Sequence, residues 1–133
     1  MGSKRPFGLL FLLWMAIVTA ACLLPLDFGG YSGFQIPYAD KISHFAFYLI
    51  GMLLGGLAAR ERYGRRTGPA KPLGVLFAAL LGYGLLIEGL QAMLPTGRSA
   101  EWLDAGANVL GLLVALASLK RLFRASEQLT WRD

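Results

Sequence analysis

Residues 40–59 read DKISHFAFYLIGMLLGGLAA, two charges followed by eighteen residues without Asp, Glu, Lys or Arg. A helix rising 1.5 Å per residue needs roughly 20 apolar residues to cross about 30 Å of hydrocarbon, and this run is close to that length. Lys41, His44, Tyr48, Gly51 and Gly55 follow one another at spacings of three, four, three and four, so a helix carries them on one face. The stretch therefore predicts a membrane-spanning helix whose stripe is polar at one end and small further along.

Three more apolar runs flank it, and the four predicted helices are 7–24, 42–59, 73–94 and 102–119. None alternates with the period of two that a barrel strand needs, and backbone groups in lipid must be satisfied within the segment or a closed sheet. The expected fold class is all-α, a polytopic integral membrane bundle of four transmembrane helices in a single domain spanning 1–133. Composition agrees: 56% of the 133 residues are hydrophobic, 16% are charged and the mean hydropathy is +0.53. An ordinary soluble domain is about 25% charged. The single Cys excludes a disulfide framework.

The net charge of +5 and pI near 9.7 would raise nucleic acid as a partner in a soluble protein. Here the charges fall on one side of the predicted helices. Lys4, Arg5, Arg60, Arg62, Arg65, Arg66, Lys71, Lys120, Arg121, Arg124 and Arg132 share a side, and only Lys41 and Arg98 lie on the other. The positive-inside rule then places both termini and the 60–71 loop in the cytoplasm, with membrane lipids and not nucleic acid as the expected partner. Lys4 and Arg5 before an apolar run, with Thr19-Ala20-Ala21-Cys22 after it, also suit a secretory signal with a lipoprotein-type processing site. The run continues through Leu23 and Leu24, beyond the usual 7 to 15 residues of a signal core, so a retained helix is expected. Tyr31, Phe34 and Tyr38 suit the membrane interface, and the tail around Leu122, Phe123, Leu129 and Trp131 suits a short surface-lying helix.

Ionisable residues within apolar helices mark function, because insertion scales assign each about 2.5–3.5 kcal/mol near the bilayer centre. The fourth predicted helix carries Asp104, Asn108, Gly111, Ala115 and Ser118 on one face, and the third carries Glu88 and Gln91 one turn apart beyond Gly84. Glu88 lies six residues before Leu94, about 9 Å in, and Asn108 four residues past Asp104, about 6 Å in. His44, Glu88, Gln91 and Asn108 are thus expected in the outer third of the bilayer, below a rim of Asp40, Lys41, Arg98 and Asp104. Gly51 to Gly55 is a Gly-x-x-x-Gly step and Ala107, Gly111 and Ala115 make a small-residue ridge, both suited to close helix approach.

The stretch Asp40-Lys41-Ile42-Ser43-His44-Phe45-Ala46-Phe47-Tyr48, with Glu88-x-x-Gln91, Pro95-x-x-Arg98 and Asp104-x-x-x-Asn108-x-x-Gly111, resembles the VanZ-like family of small membrane proteins. The resemblance covers most of 40–111. It implies a helical protein of the bacterial cytoplasmic membrane; the family's founding member is linked to reduced sensitivity to the glycopeptide teicoplanin, and the family has no settled biochemical activity.

Two functional classes suit the cluster. As a binding pocket facing outward, Lys41 and Arg98 suit phosphate or carboxylate, and Tyr48, Gln91 and Asn108 suit sugar or amide groups. An envelope glycolipid, a cell-wall lipid precursor or a lipoglycopeptide has that chemistry. As a hydrolase or transferase acting on a lipid headgroup, His44 with Glu88 or Asp104 supplies an acid/base pair and Arg98 stabilises developing negative charge. No nucleophile motif accompanies it, since Ser43 points about 100 degrees from His44. With neither His-x-x-x-His nor Cys-x-x-Cys, no metal site and no cofactor are expected. A transport path is disfavoured because the inner halves of the helices read as apolar or small. The structural alternative is internal pairing: Glu88 with Arg98 or Lys41, His44 with Asp104, and Asn108 and Gln91 bridging helices. Binding by Asp40, Lys41, His44, Tyr48, Glu88, Gln91, Arg98, Asp104 and Asn108 is the favoured reading.

Overall fold

The computed structural model describes residues 5–24, 38–64, 66–95, 101–126 and 131. Among these, the chain forms four helices: α1 (Pro6–Leu23), α2 (Ala39–Tyr63), α3 (Ala70–Met93) and α4 (Trp102–Ala125). All four are long and apolar enough to cross a membrane. Expected and observed helices correspond one to one, but α2, α3 and α4 outrun their apolar cores. The 25 residues of α2 rise about 37 Å, more than the hydrocarbon thickness. The apolar runs stop at the first charged residues, whereas a helix continues as long as its backbone bonds do. Asp40 in the first turn of α2 and Arg60 and Arg62 in its last turn also match the helix macrodipole. Tyr38, expected at the interface, is exposed just before α2, and Tyr31 and Phe34 lie outside the described residues.

The bundle is centred on α2, which packs against α1, α3 and most extensively α4; α3 bridges to α1 and α4, while α1 and α4 do not meet. Helices α2 and α4 run parallel, since His44 meets Asn108 at one end and Gly56 meets Leu119 at the other. Their backbones come close at Gly111, where a Cβ would collide with the Phe45 carbonyl oxygen and lie 3.1 Å from the Leu49 nitrogen. The expected Gly51–Gly55 step splits in two. A Cβ on Gly55 would stand 2.9 Å from Leu76 on α3, whereas one on Gly51 would make ordinary contact at 3.7 Å with Trp14 and Met15 on α1.

The core of Met52, Leu80, Leu112, Ala115 and Leu119 is buried, and large apolar side chains such as Leu12, Ile17, Val75, Leu86 and Leu113 cover the outside. This inversion, with buried polar groups and an apolar exterior, suits lipid as the surrounding medium. Ser118, expected on the packed face of α4, is exposed and donates to the Val114 carbonyl of its own helix. The buried stripe drifts to Leu112 and Leu119 because α4 must follow α2 and does not keep a strict repeat. The expected surface-lying tail also differs at its described end: Trp131 is buried, donates from Nε1 to the Thr67 carbonyl at 2.7 Å and packs edge-on against Phe123. An indole with a partner for its N–H gains more from this contact than from lying alone on a surface.

Candidate functional site

At the end of the bundle where α2 and α4 begin and α3 finishes, three helices bring ionisable side chains together. His44 comes from the second turn of α2, Glu88 from the last turns of α3, and Asp104 and Asn108 from the first turns of α4. All are buried, with His44 and Asp104 5% exposed and Glu88 8%. The arrangement follows from parallel α2 and α4, which put residues of equal depth side by side.

His44 Nδ1 lies 3.1 Å from the side-chain oxygen of Asn108. An amide oxygen can only accept, so Nδ1 carries the hydrogen and Nε2 keeps its lone pair when the ring is neutral. Nε2 faces Asp104 Oδ2 at 3.8 Å, and Nδ1 faces Glu88 Oε1 at 3.8 Å. Both separations exceed hydrogen-bond length. Neither Glu88 oxygen has a hydrogen-bond partner among the described residues.

Lys41 lies at the edge of this cluster. Its ammonium is 2.8 Å from Asp40, 2.7 Å from Glu101 and 3.2 Å from Asp104 Oδ1. The expected pairing of Lys41 with Glu88 is therefore not made: three carboxylates on the α2 and α4 ends already surround this ammonium, and Glu88 stands deeper. Asp104 serves both layers, one oxygen toward Lys41 and the other toward His44.

Gln91 is buried and donates from Nε2 to the Cys22 carbonyl at 2.9 Å. That carbonyl belongs to the last turn of α1, where helix oxygens lack intrahelical partners. Tyr48 lies one turn below His44, buried against Gly84 of α3, where a Cβ would stand 3.0 Å from its hydroxyl. This hydroxyl has no hydrogen-bond partner among the described residues. Arg98 lies outside the described residues. Ser43 is exposed and donates to the Ala39 carbonyl, away from the cluster.

Sequence reasoning missed two carboxylates. Glu101 holds Lys41 from a position just before α4, and its spacing of three from Asp104 was the available signal. Glu61 lies in α2 beyond the expected helix end and has a buried oxygen with no hydrogen-bond partner among the described residues, so the opposite end of the bundle is less uniformly apolar than expected. No family model matches the chain, and no curated protein or solved structure is similar to it.

Proposed function

We propose that the chain is a VanZ-like multi-pass protein of the bacterial cytoplasmic membrane, with both termini cytoplasmic and the His44 end opening outward to bind an amphiphilic envelope molecule. The observation that carries this reading is the buried set of His44, Glu88, Asp104 and Asn108, drawn from three helices at one end of the bundle. Polar contacts within membranes contribute only about 0.6 kcal/mol on average, little beside the insertion cost of several ionisable groups. A role beyond helix pairing accounts better for keeping them. The Glu88 carboxylate and Tyr48 hydroxyl, without hydrogen-bond partners among the described residues, give a headgroup polar atoms to meet, and the exposed apolar faces of the helices accept acyl chains.

Orientation is supported by the basic residues at the far end of the bundle, where Arg60, Arg62, Arg66, Lys71, Lys120, Arg121 and Arg124 gather. The envelope glycolipid, cell-wall lipid precursor and lipoglycopeptide share an apolar anchor and a polar, hydrogen-bonding head, which is the division the bundle presents.

The test is mass spectrometry on purified protein incubated with a total envelope-lipid extract, comparing wild type with a Lys41→Gln, Glu88→Gln double variant. A lipid retained unchanged by wild type alone is the expected result. A new product formed by wild type alone would replace binding with hydrolase or transferase chemistry at His44 and its carboxylates, and identical behaviour of the two proteins would reduce the cluster to internal pairing. In cells, the resemblance to the teicoplanin-linked family makes the sensitivity of an expressing strain to that glycopeptide the matching readout.

A further inference from the structure

Among the described residues, the polar end carries the carboxyl groups of Asp40, Glu88, Glu101 and Asp104, and the Lys41 ammonium contacts those of Asp40, Glu101 and Asp104. Lys41 is spent on the rim acids. In the layer below, Glu88 is nine-tenths buried with both oxygens unpartnered among the described residues, beside a second buried carboxylate and an imidazole. Burying a charge without a partner is strongly unfavourable, and the remedies are a proton on the carboxylate, an opposite charge or a metal ion.

We propose that His44, Glu88 and Asp104 form a binding site for a divalent transition-metal ion of the zinc or manganese class. One nitrogen or oxygen from each of the three lies within 4.8 Å of the other two. Ligands bonded at about 2.0–2.2 Å to one ion stand roughly 3–4 Å apart, so closure needs only a small shift of side chains. The unpartnered Glu88 carboxylate has the freedom to make it.

The hydrogen bonding around His44 favours this use. Asn108 takes the Nδ1 hydrogen, which leaves the Nε2 lone pair on the Asp104 side, and Glu88 Oε1, which stands 3.8 Å from Nδ1, is the ligand that moves toward Nε2 when the ion binds. A metal-bound histidine ordinarily donates its other ring N–H to a carbonyl or carboxylate, which fixes the ring and its tautomer. Asn108 is such a partner. Asp104 is steadied in the same way, since Lys41 holds Oδ1 and Oδ2 is left for the ion. One imidazole with two carboxylates selects a first-row dication over magnesium or calcium, which prefer oxygen alone.

With three protein ligands the ion keeps open coordination positions. Two carboxylates would repel a phosphate or carboxylate headgroup, and a dication between them removes that repulsion. This last consequence rests on the amphiphile reading; the ion site itself does not.

The experiment uses full-length protein in detergent, freed of any affinity tag, stripped with chelator and titrated with Zn²⁺ by calorimetry. One ion per chain is expected. Glu88→Gln and Asp104→Asn, each isosteric, should weaken binding by about 100-fold or more, and Asn108→Ala by about 10–100-fold through loss of ring orientation. Glu61→Gln, at the opposite end, should bind as wild type does. With Mn²⁺ as a paramagnetic probe, a nitrogen coupling should be present in wild type and absent in His44→Gln; circular dichroism and elution volume verify that each variant is folded. Absence of stoichiometric Zn²⁺ binding by wild type, or full retention of it by folded Glu88→Gln, overturns the site. Lipid retention by chelator-stripped protein is scored separately, so loss of the metal site leaves the pocket standing and loss of lipid retention leaves the metal site standing.

Discussion

Gly111 and Gly51 belong to the same kind of small-residue pattern but face different demands. Gly111 lies against α2 backbone at Phe45 and Leu49, which cannot yield without moving the helix, whereas Gly51 has side chains at van der Waals distance. Gly111→Ala should cost about 1–3 kcal/mol through overpacking. Gly51→Ala should cost nothing, and can gain up to about 1 kcal/mol of helix propensity. Thermal unfolding in detergent checks both, and equal losses would refute this difference in packing. Residue spacing marked all of these glycines as places of close approach. Which atoms approach each one is a property of the neighbouring helix, and no local pattern carries it.

The helices are held to one another by a few polar links besides apolar packing. Trp14 donates from Nε1 to the Phe47 carbonyl at 2.9 Å, tying α1 to α2, and Gln91 reaches the Cys22 carbonyl, tying α3 to α1. Removing the Gln91 amide deletes this link between α3 and α1, a loss of about 1 kcal/mol. Gln91→Ala should therefore loosen the end of α1, and the buried Cys22 thiol should react measurably faster with a maleimide than in wild type. An unchanged rate would mean that the apolar contacts around Val18 and Ile87, with the Thr19–Tyr83 hydroxyl hydrogen bond, hold that end without Gln91. Helix number and type were readable from hydropathy because each run is nearly as long as the bilayer is thick. Helix ends were not, since Asp40, Lys41 and the basic residues of α2 and α4 extend the helices past the apolar boundary.

Across the whole molecule, polarity is divided between the two ends. Acidic and amide groups gather around His44, and arginines and lysines gather at the other end. In a Cys22→Ser background, the proposed orientation predicts that Trp102→Cys, at a position 92% exposed beside the polar end, is labelled on intact cells by a membrane-impermeant maleimide. Lys71→Cys, at the basic end, should be labelled only after the membrane is permeabilised. The reverse pattern would overturn the outward-facing pocket, while leaving the geometry of the cluster intact.

Hydropathy and residue spacing were enough to pick out four apolar helices and to place His44, Glu88, Gln91 and Asn108 at one depth with Asp104 in a rim above them, because helical rise and periodicity are local properties. Partnership was not local. That Lys41 is held by Glu101 and not by Glu88, that Gln91 caps the last turn of α1, and that His44, Glu88 and Asp104 converge within ligand distance depend on three helices meeting. Metal-ligand spacing within one helix was the only pattern a linear reading could test, and it was missing. The candidate site exists because parallel packing of α2 and α4, permitted by the absence of a side chain at Gly111, brings residues some sixty positions apart to the same level beside the end of α3.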